Sequence, residues 1–197
     1  MDRIGEKLIF IPEGISFDLL GDGREVCVKN PRGSVTLDIP MGLKVIVHDN
    51  QMLSVKPRHV SSRLKAVARR PLRKSRIQAL RGSFRTQLQN AIFGLSSDWY
   101  SVLELSGLGY TASAINSNCL QLSVGLSHKI EVNIEAPMEV SCPTPQQIRL
   151  AGPDLVKLTQ CASSIRSLRT PDAYHGKGVR WSGEIISLKE GKKPQAL

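Results

Sequence analysis

The sequence predicts an α+β protein made of two duplicated domains, each a small, mainly antiparallel sheet packed with one helix, followed by a basic C-terminal extension. Three observations carry that expectation. Short alternating apolar runs between turn residues fill the first part of each half, one amphipathic helix closes each half, and the halves can be laid on one another. The expected domains are residues 1–97, with a basic insertion at about 56–81, then 98–168, then the extension 169–197.

From Ile4 to about Val55, turn residues fall at Pro12-Glu13-Gly14, Gly21-Asp22-Gly23, Asn30-Pro31-Arg32-Gly33, Pro40-Met41-Gly42 and His48-Asp49-Asn50. That is the spacing of small antiparallel sheets. Strands are expected at Glu25 to Val28, Ser34 to Ile39 and Lys44 to Val47. Val35, Leu37 and Ile39 alternate with Thr36 and Asp38, giving one buried and one wet face. A helix is expected from about Ser83 to Leu95, because Phe84, Leu88, Ala91, Ile92 and Leu95 share one face, with Ser83 as N-cap and Gly94 near the end.

Further strands are expected at Trp99 to Leu105, Tyr110 to Ala114, Leu120 to Val124, Lys129 to Ile134, Glu139 to Cys142 and Gln147 to Leu150. A second helix follows from about Pro153 to Leu168, with Leu155, Leu158, Ala162 and Ile165 on its stripe. At an offset of 95, Val35, Leu37 and Ile39 meet Ile130, Val132 and Ile134, Leu43 and Val45 meet Met138 and Val140, and Leu53 and Val55 meet Ile148 and Leu150. The helices match at an offset of 70, pairing Gly82 with Gly152, Leu88 with Leu158 and Ala91 with Cys161. The difference of about 25 residues is the basic segment, so that segment reads as an insertion before the first helix, interrupted at Pro71.

Of 197 residues 41% are hydrophobic, enough for ordinary cores. Lys and Arg outnumber Asp and Glu by 27 to 17, a formal charge of +10, which points to a polyanion and first to nucleic acid. From Gln51 to Ser97 there are eleven basic residues and no acid. So long a run repels itself unless something neutralises it. The segment Arg169 to Lys193 adds cations, the rings of Tyr174 and Trp181, and glycines at 176, 178, 183 and 191. Glycine allows close backbone approach, cations suit phosphates and rings suit bases, so an extended RNA-contacting segment outside any core is expected.

Catalysis, cofactors and metal have no residues to stand on. The cysteines (27, 119, 142, 161) include no CxxC pair and are expected to be reduced and buried, and the histidines (48, 59, 128, 175) are scattered. No phosphate loop, GxSxG or HExxH occurs, and Gly107-Leu108-Gly109-Tyr110 reads as a bulge or close approach. Asp172 and His175 have no nucleophile signature beside them. The longest apolar run near the start, Leu8 to Ile11, is too short to span a membrane, and no organelle-targeting peptide is visible.

The chain resembles one family along nearly its whole length. The carriers are IPEG at Ile11 to Gly14, VKNPRG at Val28 to Gly33, RGSFRT at Arg81 to Thr86, GLGYTA at Gly107 to Ala112, LSVGLSH at Leu122 to His128, CPTP at Cys142 to Pro145, and YHGKGVRW with KEGKK in the last segment. In this order and spacing they resemble the universal large-subunit ribosomal protein six, bacterial type. The resemblance implies two duplicated α+β domains, no catalysis and no small-molecule substrate. It also implies binding to large-subunit rRNA near the factor-binding side, by the sarcin-ricin region, beside neighbouring large-subunit proteins at the stalk base, with a part in subunit assembly. It carries Arg169, Tyr174, Lys177, Arg180, Lys192 and Lys193 as RNA-facing. The residues themselves add His175, Trp181 and Lys189 from the tail and Lys56, Arg58, Arg63, Lys65, Arg69, Arg70, Arg73, Lys74, Arg76, Arg81 and Arg85 from the basic run.

Departures from the family pattern are Ala173 for a second proline, His175 for lysine, Trp181 for tyrosine, Ser187-Leu188 for a basic pair and Lys129 for a proline. These dilute the tail charge, and the insertion is expected to reach extra rRNA or a neighbouring protein in compensation. The divergence suggests an organellar ribosome, mitochondrial before plastid, with the bacterial cytoplasm as the other compartment. A free-standing regulatory RNA- or DNA-binding module is the alternative function.

Overall fold

The computed structural model describes residues 4–21, 23–31, 33–48, 51–58 and 74–191. The chain divides into two compact units, Met1–Asp98 and Trp99–Leu197. The first holds β1 (Ile9–Phe10), β2 (Ser16–Leu20), β3 (Glu25–Asn30), β4 (Gly33–Asp38), β5 (Leu43–His48), β6 (Met52–Pro57) and helix α1 (Lys74–Ser96). They form two antiparallel sheets, ordered β2-β3-β4 and β1-β6-β5, where the sequence reading expected one. β1, β2 and β6 are not among the expected strands: one is two residues long, Ser16–Leu20 is mostly exposed without a clean alternation, and Met52–Pro57 runs into the basic segment.

Alternation decides what each strand buries. Val26, Val28 and Val35 point inward from one sheet and Ile9, Leu43, Val45, Leu53 and Val55 from the other, onto Phe84, Leu88, Ala91, Ile92 and Leu95 of α1. Burying a Leu fully contributes about 1.5–3 kcal/mol, and Leu53 and Leu88 are both wholly inaccessible. The carboxamide of Asn30, at the end of β3, donates to the carbonyl of Leu95, so the helix C-terminus is tied to the sheet.

Helix α1 begins nine residues before the expected Ser83. Ser83 is therefore an exposed interior residue and not an N-cap, and Gly94 is buried inside the last turns. The physical reason is that Ile77 and Leu80 extend the apolar stripe backwards, while Lys74, Arg76, Gln78 and Ala79 around them are good helix formers. The basic run and the helix thus overlap from Lys74 to Arg81.

The second unit holds β7 (Trp99–Ser106), β8 (Thr111–Asn116), β9 (Cys119–Ser123), β10 (Ile130–Asn133), β11 (Glu139–Thr144), β12 (Gln147–Gly152), helix α2 (Leu155–Leu168) and β13 (Gly178–Trp181). Its sheets are β8-β9-β10 and β11-β12-β7-β13. Asp154 caps α2, its Oδ1 accepting from the backbone N–H groups of Val156 and Lys157 at 2.9 and 3.3 Å. Leu158, Ala162 and Ile165 are buried against Leu103, Leu120, Leu122, Ile148 and Leu150.

The two units repeat in detail. Ile9 pairs with Leu53 as Leu103 pairs with Ile148. Outside the ladders, Ile11 donates to Gln51 and Leu105 to Gln146, both at 2.8 Å, while Ile39 donates to Arg24 and Ile134 to Asn118 at 2.7 and 2.8 Å. Leu88 and Leu158 sit at the same place, both wholly buried. The expected pairing of Gly82 with Gly152 does not hold, since Gly82 lies within α1 and Gly152 ends β12. Among the cysteines Cys27 is buried and the other three are half-buried, all as free thiols. Burial pushes the Cys142 and Cys161 thiols up. Gly107 approaches closely, since a Cβ there would meet the Tyr110 ring at 3.0 Å.

Candidate nucleic-acid interface

The segment after α2 is not a free extended tail. Gly176 N–H donates to the carbonyl of Asp172 at 2.9 Å, and Asp172 N–H to the carbonyl of Lys177 at 2.9 Å, closing a tight turn. The Asp172 carboxylate accepts the backbone N–H of His175 at 3.1 Å and meets its Nδ1 at 3.2 Å. Those donors, the backbone N–H first, hold the Asp172 carboxyl below the usual carboxylate range. Asp172 and His175 therefore shape a turn.

The chain then enters the sheet, correcting the expectation that this segment stays outside any core. β13 pairs antiparallel with β7, Val179 is wholly buried, and Trp181 packs half-buried against the second core. Gly178 makes this possible: its φ is 150° and a Cβ would lie 2.7 Å from backbone atoms of Pro171. On the sheet, Arg180 stands opposite Glu104, its Nε 3.1 Å and its terminal nitrogen 3.0 Å from Oε2, while Ser182 donates to Oε1 at 3.0 Å. Glu184 accepts the Trp181 N–H at 3.0 Å and pairs with Arg166 at 2.6 Å, contacts that hold its carboxyl below the ordinary glutamate value. Lys189 N–H returns to the carbonyl of Ala173 at 2.9 Å.

The structure therefore brings Tyr174, His175 and Lys177 together as exposed side chains on the Asp172 turn, with Lys189 tied to it through Ala173 and Arg169 exposed at the end of α2. Arg180 and Trp181 are half-buried, and the former is spent largely on Glu104. Lys192 and Lys193 lie outside the described residues, as do Arg63, Lys65, Arg69, Arg70 and Arg73.

The rest of the basic run separates by direction. Lys56 and Arg58 are exposed at the end of β6, and Arg76 is exposed on α1, which Lys74 opens. Arg81 and Arg85 face inward, against the expectation of two RNA-facing cations. Arg81 donates Nε to the carbonyl of Val55 at 2.7 Å and stands 3.9 Å from Glu6. Arg85, 8% exposed, donates to the carbonyls of Lys7 at 2.9 Å and Leu8 at 3.4 Å and to Gln89 at 3.0 Å. One turn apart on α1, the two arginines hook β6 and the chain just ahead of β1, because a guanidinium on a long stem reaches backbone carbonyls that no shorter side chain would.

Among the described residues no cluster of three or more His, Cys, Asp or Glu could hold a metal ion, and no helix is long and apolar enough to cross a membrane. A duplicated α+β scaffold that spends Glu104, Asp172 and Glu184 on its own sheet and turn, and leaves Tyr174, His175, Lys177 and Lys189 exposed nearby, is a non-catalytic scaffold with a surface whose chemistry suits a polyanion. Residues 106–181 match the family described as Ribosomal protein L6. The large ribosomal subunit protein uL6 of Methylobacterium nodulans is 35% identical over 193 residues, covering 98% of this chain and 99% of that protein. That of Bradyrhizobium diazoefficiens gives the same identity and coverage, and that of Bacillus cereus is 33% identical over 192 residues, 98% of each chain. The chain belongs to the ribosomal protein L6 family. It is accordingly a large-subunit ribosomal protein and not an enzyme.

Proposed function

We propose that this protein binds large-subunit rRNA near the factor-binding, sarcin-ricin side of the subunit and supports subunit assembly and translation as a structural component. The observation that carries the reading is the exposed group Arg169, Tyr174, His175, Lys177 and Lys189 gathered around one turn of a chain with charge +10. The cations neutralise phosphates and the ring and imidazole give flat faces, so contact is to backbone and unpaired bases, with no base-edge code required. In the first unit Lys56, Arg58, Arg76 and the cations of 59–73 make rRNA contacts of their own, whereas Arg81 and Arg85 belong to the fold. Proteins at the stalk base are the expected neighbours.

Sucrose-gradient fractionation of native extract at moderate and high salt, followed by mass spectrometry, tests the reading. The chain should stay with the large subunit in both, and crosslinks from Lys177 and Lys189 should fall in rRNA near the sarcin-ricin loop. A chain that runs free at the top would instead be a regulatory RNA- or DNA-binding module. The same gradients assign the compartment. The departures at Ala173, His175, Trp181 and Ser187-Leu188 favour an organellar ribosome, and the bacterial relatives at 33–35% identity favour a bacterial one.

A further inference from the structure

We propose a second RNA-contacting surface, the outer face of the β1-β6-β5 sheet, which takes unpaired rRNA nucleotides on Phe10 and His48 and their phosphates on Lys44, Lys56 and Arg58. This rests on the reading of the chain as an rRNA binder and adds a face that the tail does not supply.

The strand registers set out that face row by row. Phe10 pairs with Met52 and Met52 with His48, Ser54 with Ile46, and Lys56 with Lys44. Leu53 and Val55 are buried on the inner side, so Met52, Ser54 and Lys56 point outward, and Phe10 and His48 share their face. Phe10 is 58% and Met52 43% exposed, side by side on this face. The His48 ring is fixed by its Nε2, 2.7 Å from the hydroxyl of Ser54, which is itself only 5% exposed beneath these side chains. With strands about 4.8 Å apart, the rings of Phe10 and His48 stand roughly 10 Å from each other across Met52, a platform on which bases can lie.

The other end of the face is cationic. Lys44 and Lys56 are directly opposite each other on neighbouring strands, an arrangement that costs stability unless an anion lies between them. Among the described residues neither has an ion pair, and the face itself carries no acid. Arg58 continues the line, its N–H donating to the carbonyl of Gly42 at 2.7 Å. Lys56 lies four residues along β6 from Met52, about 13 Å at roughly 3.3 Å per residue, so rings and cations are within one short stretch of nucleic acid. Charge complementarity thus selects a polyanion, and the flat rings select one with bases.

The full-length protein would be titrated with large-subunit rRNA extracted from the ribosomes that carry it, between about 50 and 200 mM salt. Lys44→Gln with Lys56→Gln should weaken binding and flatten the log–log salt slope by about 1.4–1.8, two phosphates at roughly 0.7–0.9 each. Phe10→Ala should cost about tenfold in affinity without changing that slope, the scale of one lost base stack. Phe10→Tyr should restore binding and Phe10→Leu should not, because the ring and not the apolar volume is needed. If the wild type binds and all these variants bind alike, the face is not an RNA contact and the tail reading stands. If the wild type fails to bind, both readings fall. Rescue by Phe10→Leu, or crosslinking of Phe10 to an acidic protein in intact subunits, would also overturn the proposal.

Discussion

Replacing Arg85 by Met separates a structural cation from an RNA-facing one. Met keeps the apolar stem and removes the guanidinium, which donates to the carbonyl of Lys7 at 2.9 Å and more weakly to that of Leu8 at 3.4 Å. A hydrogen bond from a charged donor contributes about 1.5–3 kcal/mol, and the second, longer one adds only a part of that. Water reaches the freed carbonyls, since Lys7 and Leu8 are exposed, which returns some of the loss. The net expectation is about 2 kcal/mol from the first unit. Both tryptophans, Trp99 and Trp181, lie in the second unit, so fluorescence does not read the first. Hydrogen exchange of peptides from β1 and β6 does, and their protection should fall by about 30-fold, the equivalent of 2 kcal/mol. The salt slope of rRNA binding should not move. Unchanged protection together with a slope reduced by about 0.7–0.9 would show that Arg85 meets a phosphate, and the account of α1 given above would be wrong.

Three further outcomes test the second unit. Asp154→Ala removes the cap of α2 and should cost about 1 kcal/mol in chemical denaturation read by tryptophan fluorescence. Gly178→Ala should cost roughly 2–4 kcal/mol, combining strain at positive φ with a clash against backbone that cannot move aside, and should leave β13 open to protease; a loss under about 1 kcal/mol would contradict the packing described. Glu184 has its folded pKa depressed, so its contribution is present above the unfolded value of about 4.5 and is lost as pH falls through the lower folded value. Acid unfolding of the second unit should therefore become shallower over that window in Glu184→Gln.

Strict alternation and helical stripes were legible in the sequence. Val35, Leu37 and Ile39 marked β4, and Leu158, Ala162 and Ile165 marked α2, because period alone decides which face is buried. The start of α1 was hidden by its charges, since Lys74 to Arg81 reads as a solvated run unless Ile77 and Leu80 are counted as a continuing stripe. β13 was hidden for a different reason: a four-residue strand among glycines offers one wholly buried side chain, Val179, and the partner that fixes it is Leu105, over seventy positions earlier. The roles of Arg81 and Arg85 were not legible at all. Nothing local distinguishes an arginine that reaches a distant carbonyl from one that reaches water, and only the fold brings Val55, Lys7 and Leu8 beneath α1.

Comparing the repeats shows how one scaffold came to carry two different surfaces. Inward positions kept their character, Ile9 and Leu103, Leu53 and Ile148, Leu88 and Leu158, because a packed core tolerates only apolar exchange of similar volume. Outward positions did not. Phe10 and Met52 in the first unit correspond to Glu104 and Gln147 in the second, as the paired registers require. The difference follows the fourth strand: β13 lies along β7 and brings Arg180 and Ser182 onto Glu104, which makes a carboxylate there satisfied and useful. Among the described residues β1 has no such neighbour on its free edge, and a carboxylate at Phe10 would stand without a cation opposite it, the lysine pair lying four residues along β6 from Met52. Introducing it as Phe10→Glu should leave the first unit folded, since the site is exposed, yet weaken rRNA binding more than Phe10→Ala does, because it adds repulsion from phosphate to the loss of a ring. Equal losses for the two substitutions would mean that no phosphate comes near this row and that the ring alone makes the contact.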